Sequence, residues 1–344
     1  MGPVANRPAS SLSEDPGGRR VRFPGSRKKT KNGRNGMLHV TRRRFLQSAA
    51  VFSLSMGLPG RGFAAGPPGP KERPRVVEVT GPLEESLEML IRTLGGMERF
   101  VRRGGTVLIK PNMSFPNPPD LATTTDPRLV RGVVRRCLEA GAKEVVVADH
   151  PMRAVSLCLE MTGMKTACRE LRDVHLIGAS REGMYQEVPL PDGRALTRSK
   201  VLRIALKADV LINLPRMKSH AATTVSMGTK GNMGLIWDRA SFHSRMDLNE
   251  AIGDLNTLIR ADLTILDGTR ALTAGGPLGP GPVAELNCLI GGVDPVAVDA
   301  LGVRKVDWYG KPVRPEQVAH LMACHRRGVG EIDLDRIDIV KREV

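Results

Sequence analysis

Asp126-Pro127-Arg128-Leu129-Val130-Arg131-Gly132-Val133-Val134-Arg135-Arg136-Cys137-Leu138-Glu139-Ala140-Gly141-Ala142-Lys143-Glu144-Val145-Val146-Val147-Ala148-Asp149-His150-Pro151 is the stretch that decides the fold. Asp126 is a natural helix cap, and Pro127 suits the first helical position, where its missing N–H costs nothing. Leu129, Val130, Val133, Val134, Cys137 and Leu138 then recur at helical spacing on one face. Gly141 ends the helix. The β-branched run 144–148 follows at once and stops at Asp149-His150-Pro151, because proline cannot continue a central strand. A helix that hands over to a short, wholly apolar strand is the unit of a parallel sheet covered by helices.

The same alternation continues outward in both directions. Upstream lie a strand at 75–80, a helix at 86–100 marked by Leu87, Leu90, Ile91 and Leu94, and a strand at 106–109 halted by Lys110-Pro111-Asn112. Downstream come a strand at 174–177, a helix-like run at 200–208, and a strand at 210–214 stopping at Pro215-Arg216-Met217-Lys218-Ser219-His220. Leu248, Ile252, Leu255 and Ile259 mark a helix ahead of a strand at 263–266, which stops at Asp267-Gly268. A further strand covers 286–290, and Asp294-Pro295 repeats the cap signature before a helix at 296–303. The expectation is a single α/β domain over 76–344, with a mostly parallel central sheet and helices on both faces.

Residues before that domain read differently. Residues 1–36 are rich in Gly, Pro, Ser, Arg and Lys and cannot bury a core, so they read as a disordered basic arm or a mis-assigned start. Thr41-Arg42-Arg43-Arg44-Phe45-Leu46-Gln47, followed by a weakly apolar stretch and the small residues Gly62, Ala64 and Ala65, reads as a twin-arginine export signal over 37–65. Residues 66–75 form a Pro/Gly linker. The expected partner is the twin-arginine translocation machinery, and the expected location is periplasmic or otherwise extracytoplasmic.

The net charge of +16 is mostly that leader: residues 1–65 contribute +11, leaving +5 for the rest. With aromatic content of only 3%, the chain has neither the basic face nor the stacking platforms of a nucleic-acid binder. No later apolar run approaches the roughly 20 residues of a bilayer span. The five cysteines, Cys137, Cys158, Cys168, Cys288 and Cys324, show no C-x-x-C spacing, which disfavours iron–sulfur and local zinc sites. A Cys158–Cys168 bridge after export stays open.

In an open parallel sheet, ligands bind outside the carboxyl ends of the strands. Polar groups end four of the expected strands: Lys110 with Asn112, Asp149 with His150, Lys218 with His220, and Asp267; Asp294 follows a fifth. Solvated loops alone would also put polar residues there. The densest segment, 214–234, offers Lys218 and Lys230 as point charges, the Thr223 hydroxyl, the Asn232 amide and glycines that admit close approach. Those groups suit a carboxylate or a phosphate. His220 or His243 could move a proton near neutral pH, with Asp267 or Asp149 orienting the ring, although a lone imidazole is as often a hydrogen-bonded structural residue. His220, His243, Asp149 and Asp267 also have the ligand types of a divalent metal site, though no spacing demands one. Gly275-Gly276-Pro277-Leu278-Gly279-Pro280-Gly281 looks like a phosphate loop, but its prolines remove donors, so a turn or lid is the better reading. There is no P-loop, nucleophile elbow or H-E-x-x-H helix.

Several of these pieces together resemble the domain-of-unknown-function 362 family. They are Val107-Leu108-Ile109-Lys110-Pro111-Asn112, the segment from Lys218-Ser219-His220 to Lys230-Gly231-Asn232-Met233-Gly234, His243, Asp267-Gly268, and Asp294-Pro295-Val296-Ala297-Val298-Asp299. The likeness runs from about residue 76 to about residue 303. Relatives tend to have Lys-Asn where this chain has Lys230-Gly231-Asn232. Many relatives carry a ferredoxin-like cysteine segment, which this chain lacks, so the resemblance implies no iron–sulfur role here and assigns no activity. The residues themselves point to an exported enzyme acting on a small anionic molecule, redox-linked or metal-assisted, with a non-catalytic anion-binding or delivery module as the alternative.

Overall fold

A computed structural model describes residues 73–344. The expectations for 1–36, for the export signal at 37–65 and for most of the 66–75 linker lie outside the described residues. Among the described residues twelve strands are present: β1 (Arg75–Thr80), β2 (Thr106–Pro111), β3 (Glu144–Asp149), β4 (Val174–Gly178), β5 (Tyr185–Pro189), β6 (Arg198–Leu202), β7 (Val210–Leu214), β8 (Arg216–His220), β9 (Thr224–Ser226), β10 (Leu263–Leu272), β11 (Val283–Gly292) and β12 (Asp338–Glu343). The α-helices are α1 (Leu83–Thr93), α2 (Pro127–Glu139), α3 (Val155–Met161), α4 (Met164–Cys168), α5 (Arg203–Lys207), α6 (Gly228–Gly231), α7 (Arg239–Ser244), α8 (Leu248–Leu258), α9 (Pro295–Val303) and α10 (Ala319–Arg326).

The main sheet runs β12-β1-β11-β10-β7-β2-β3-β4, with β8 also on β10 and β9 on β8. Pairings are parallel from β10 through β7, β2 and β3 to β4, and again between β1 and β12 and between β8 and β10. Within this sheet only β11, against β1 and β10, and β9, against β8, run antiparallel. The strands are apolar on both faces, as a doubly covered sheet requires. Val107 and Ile109 of β2, Val145 and Val147 of β3, and Val210 and Ile212 of β7 pack with α1 and α2. Their neighbours Leu108, Val146 and Leu211 belong to the opposite core with α8, α9 and α10. Helices therefore lie on both faces of the sheet.

Local sequence chemistry places the helices. Asp126 accepts from the Arg128 N–H at 2.8 Å, as expected of its cap. Asp294 does the same for Val296 and Ala297. Among the described residues all five cysteines are free and buried, so Cys158 and Cys168 are not bridged. No described helix is long and apolar enough to cross a membrane.

Three element readings change. The helix expected at 200–208 is shortened at its start to α5, because residues 200–202 belong to β6, paired in a hairpin with β5 from Tyr185↔Leu202 to Pro189↔Arg198. Cross-strand burial of Val201 and Leu202 outweighs a weak helical spacing. The strand ending at Leu214 resumes after Pro215 as β8, which turns onto β10. The strand expected to end at 266 runs on to Leu272, so Asp267 sits within it.

Candidate functional site

Beyond the ends of β2 and β8 lies a cavity of about 370 Å³. Lys110 and Asn112 enter it from β2 and the residues just after it, Lys218 and His220 from β8, Lys230 from α6, and Arg239 and His243 from α7. Pro277, from the Gly/Pro connection between β10 and β11, closes part of the rim, in keeping with a turn over the site. Among the described residues, the lining includes four basic side chains and no carboxylate.

Each lysine is held differently. Lys110 Nζ lies 3.5 Å from Asp149 Oδ1, and both side chains are essentially fully buried. Asp149 also accepts from the Met113 N–H at 2.9 Å and the Ser114 hydroxyl at 3.2 Å. Gly234 passes so close to this pair that a Cβ there would meet Asp149 Oδ1 at 1.9 Å and Lys110 Cε at 2.7 Å. Only glycine fits, which explains that residue of the 214–234 segment. Lys218 Nζ donates to the Thr123 carbonyl at 2.5 Å and the Pro277 carbonyl at 3.3 Å, and lies 5.4 Å from the Phe115 ring centroid. Lys230 Nζ donates to the Met233 thioether at 3.3 Å, a weak acceptor.

Confinement of like charges shapes the electrostatics. Burial, reinforced by Lys110 and Lys230, lowers Lys218 to about 7. Burial, reinforced by Arg239 and Lys110, lowers Lys230 to about 7 as well. Lys110 is lowered by burial, partly offset by Asp149. The His220 and His243 rings stack with centroids 6.0 Å apart. His220 Nδ1 accepts from the Ala222 N–H at 3.2 Å, which assigns the neutral ring's proton to Nε2. Burial and the neighbouring lysines push His220 down to about 2, which favours the neutral ring and makes it a poor base. His243 is lowered by burial, Lys230 and Arg239.

Four expected site residues turn elsewhere. Asp267 is buried mid-strand, accepting from Arg216 Nη1 at 3.0 Å, the Asp126 N–H at 2.7 Å and the Thr269 hydroxyl at 2.7 Å. It neutralises Arg216 and does not orient an imidazole. Thr223 donates its hydroxyl to the Val225 carbonyl and braces a turn. Asn232 is tied by its amide to Asn256 at 2.8 Å and Asn213 at 3.2 Å. Asp294 caps α9 and also accepts from the Glu331 N–H at 2.8 Å. The four candidate metal ligands likewise do not converge, because Asp149 serves Lys110 and Asp267 serves Arg216. Among the described residues no group of three or more His, Cys, Asp or Glu could hold a metal ion.

Two contributors escaped the sequence reading. Arg239 begins a short polar helix that no strand-end rule flags. Asp299 is fully buried and accepts from the Gly228 N–H, the Thr229 N–H and the Thr229 hydroxyl, each at 2.8 Å, which clamps the turn that carries Lys230. Burial raises Asp299 to about 6. Its signal was a lone carboxylate within the otherwise apolar run Pro295–Val303.

The family model described as "Domain of unknown function (DUF362)" matches residues 107–304, more than half of the chain and every cavity residue named above. The chain belongs to the DUF362 family. Over 226 residues this DUF362 protein is 31% identical to the thylakoid-associated protein sll1697 of Synechocystis sp., covering 64% of this chain and 68% of that protein. Among solved structures it resembles the lactate racemase apoprotein from Thermoanaerobacterium thermosaccharolyticum, with a TM-score of 0.44 and 12% identity. It also resembles a structural-genomics protein from Thermotoga maritima, with a TM-score of 0.37 and 15% identity. These likenesses cover 69% and 72% of this chain but only 59% and 58% of the other chains, and carry no argument about activity.

Proposed function

We propose that this DUF362 protein takes a small anionic molecule, a carboxylate or a phosphate, into the cation-lined cavity and acts on it there as an enzyme. The observation that carries this reading is the convergence of Lys110, Lys218, Lys230 and Arg239 on one small space lined by no carboxylate. Cations kept from water at close quarters cost stability unless an anion joins them. A bound anion would return the lysines to their charged state, and they would stabilise negative charge developing on a carbonyl or phosphoryl oxygen. Asn112 and the Ser226 side chain add polar groups along the wall. His243 is the better proton carrier of the two histidines, since His220 is held near 2 until an anion compensates the lysines. Metal assistance has no gathered ligand set among the described residues to support it.

That depressed His220 favours one second reading, a binding or delivery module that uses the cations alone. Calorimetry with inorganic phosphate and small carboxylates separates the possibilities. Lys218→Met is expected to weaken binding at least tenfold, and unaltered affinity in that variant rejects the anion site. His243→Ala is expected to retain affinity; with a turned-over ligand in hand, undiminished turnover in this variant assigns the module reading.

The proposal also includes export. Residues 37–65, read from sequence alone, address the folded chain to the twin-arginine machinery. Residues 1–65 fused to a folded reporter are expected to direct export that is lost on Arg42→Lys with Arg43→Lys. Export that persists in that variant refutes the assignment.

A further inference from the structure

We propose that Lys230 is an amine nucleophile that forms an imine with a small 2-oxo acid held in this cavity. The proposal rests on the anion reading and narrows its substrate class. It follows from the contrast among the three lysines. Lys110 is paired with Asp149, whose carboxylate favours its ammonium form. Lys218 points its Nζ at two carbonyl oxygens and an aromatic face, the surroundings of a cation. Among the described residues, Lys230, also a lining residue, has the Met233 sulfur as the one hydrogen-bond acceptor of its Nζ, with Arg239 and Lys110 as neighbouring cations. No stronger acceptor demands its protons, so its lone pair is free to face the cavity. Like charge and burial are how amines become nucleophiles at neutral pH, and burial with the neighbouring Arg239 and Lys110 lowers Lys230 to about 7.

The other cations set the substrate. Lys218 or Arg239 would hold the carboxylate of a 2-oxo acid, whose carbonyl carbon is the adjacent atom. The Lys230 Nζ lone pair adds to that carbon, and the C–O bond then breaks. Both amine hydrogens leave with the carbonyl oxygen as water, giving a C=N bond with no oxidant or reductant required. Asp299, through Gly228 and Thr229, fixes the backbone from which Lys230 reaches in.

The test uses the full chain incubated with pyruvate, 2-oxobutyrate or 2-oxoglutarate and then sodium borohydride, which reduces an imine to a stable secondary amine. Intact mass and peptide mapping are expected to show one reduced adduct on the peptide carrying Lys230, and none without the oxo acid. Lys230→Arg keeps the charge but cannot form the imine; it is expected to bind the acid within several-fold of the parent and to give no adduct, with circular dichroism confirming its fold. Calorimetric binding of the acid without an adduct, or an adduct on Lys218 instead, overturns the imine and leaves the anion site standing. Binding of phosphate but of no oxo acid does the same. Absence of binding by every anion tried overturns both readings.

Discussion

Replacing Lys230 by Met is expected to make the ligand-free protein more stable at pH 7 while abolishing anion binding. Burial and like charge take this lysine from 10.5 to about 7. At about 1.4 kcal/mol per pK unit, that gap caps the cost of its charge in the fold at about 5 kcal/mol. Methionine keeps most of the apolar stem, so about 1 to 3 kcal/mol of this cost is expected to be recovered. The sign follows from linkage: a base depressed in the fold binds fewer protons folded than unfolded between about 7 and 10.5, so stability rises with pH across that window. Lys218 behaves alike, with a value of about 7. The buried thiols of Cys137, Cys288 and Cys324 and the Tyr185 phenol, all raised by burial, reverse the trend above about pH 9. Urea unfolding between pH 7 and 8.5 therefore isolates the lysines. The parent is expected to gain up to about 3 kcal/mol over that range, Lys230→Met about half as much, and saturating phosphate is expected to flatten the parent's slope. A flat parent profile, or a Lys230→Met slope equal to the parent's, refutes the reasoning.

Gly234→Ala forces a Cβ against Asp149 Oδ1 and Lys110 Cε; a loss of about 1 to 3 kcal/mol on urea unfolding and at least tenfold weaker phosphate binding are expected, and parental values for both would contradict the close packing. Asp267→Asn strands the buried Arg216 guanidinium, and a loss of about 3 to 5 kcal/mol is expected by the same assay; a loss below about 1 kcal/mol would show that Arg216 does not depend on that carboxylate. His320 is fully buried with neither ring nitrogen bonded and is held near 3 by burial and Lys230. Stability is therefore lost as pH falls from 6.5 towards 3, and His320→Leu is expected to reduce that acid sensitivity; an unchanged acid limb counts against it.

The layered architecture was legible because its signals are local. An Asp–Pro helix start, a glycine stop and a β-branched run each act over a few residues, and α2 and β3 fall where those signals put them. The site was legible at strand ends, in the polar 214–234 segment that supplies Lys230, and at His243. Lys110, Lys218 and His220 lie at such ends, and the cavity collects them. Asp267 misled because pairing with β11 carries β10 on to Leu272, and pairing partners distant in sequence leave no local trace. Asp294 misled because β11 runs against its neighbours, so the group following it emerges at the opposite end of the sheet from the cavity. Thr223 and Asn232 have the chemistry of ligand contacts, but Thr223 spends it on the turn between β8 and β9 and Asn232 on the amide network beside Lys230. Arg239 went unread because a cation on a short polar helix looks like surface until the chain is folded.

The tether beneath Lys230 has a kinetic consequence. Asp299 grips the turn at its start, and the Asn232, Asn213 and Asn256 amides fasten its end. A side chain on such a mount starts from a fixed stretch of backbone, so no backbone rearrangement needs to precede capture. Encounter would then be paced by attraction through solvent, falling steeply as added salt shortens the reach of the field, while escape would depend on how completely the enclosed charges had been neutralised.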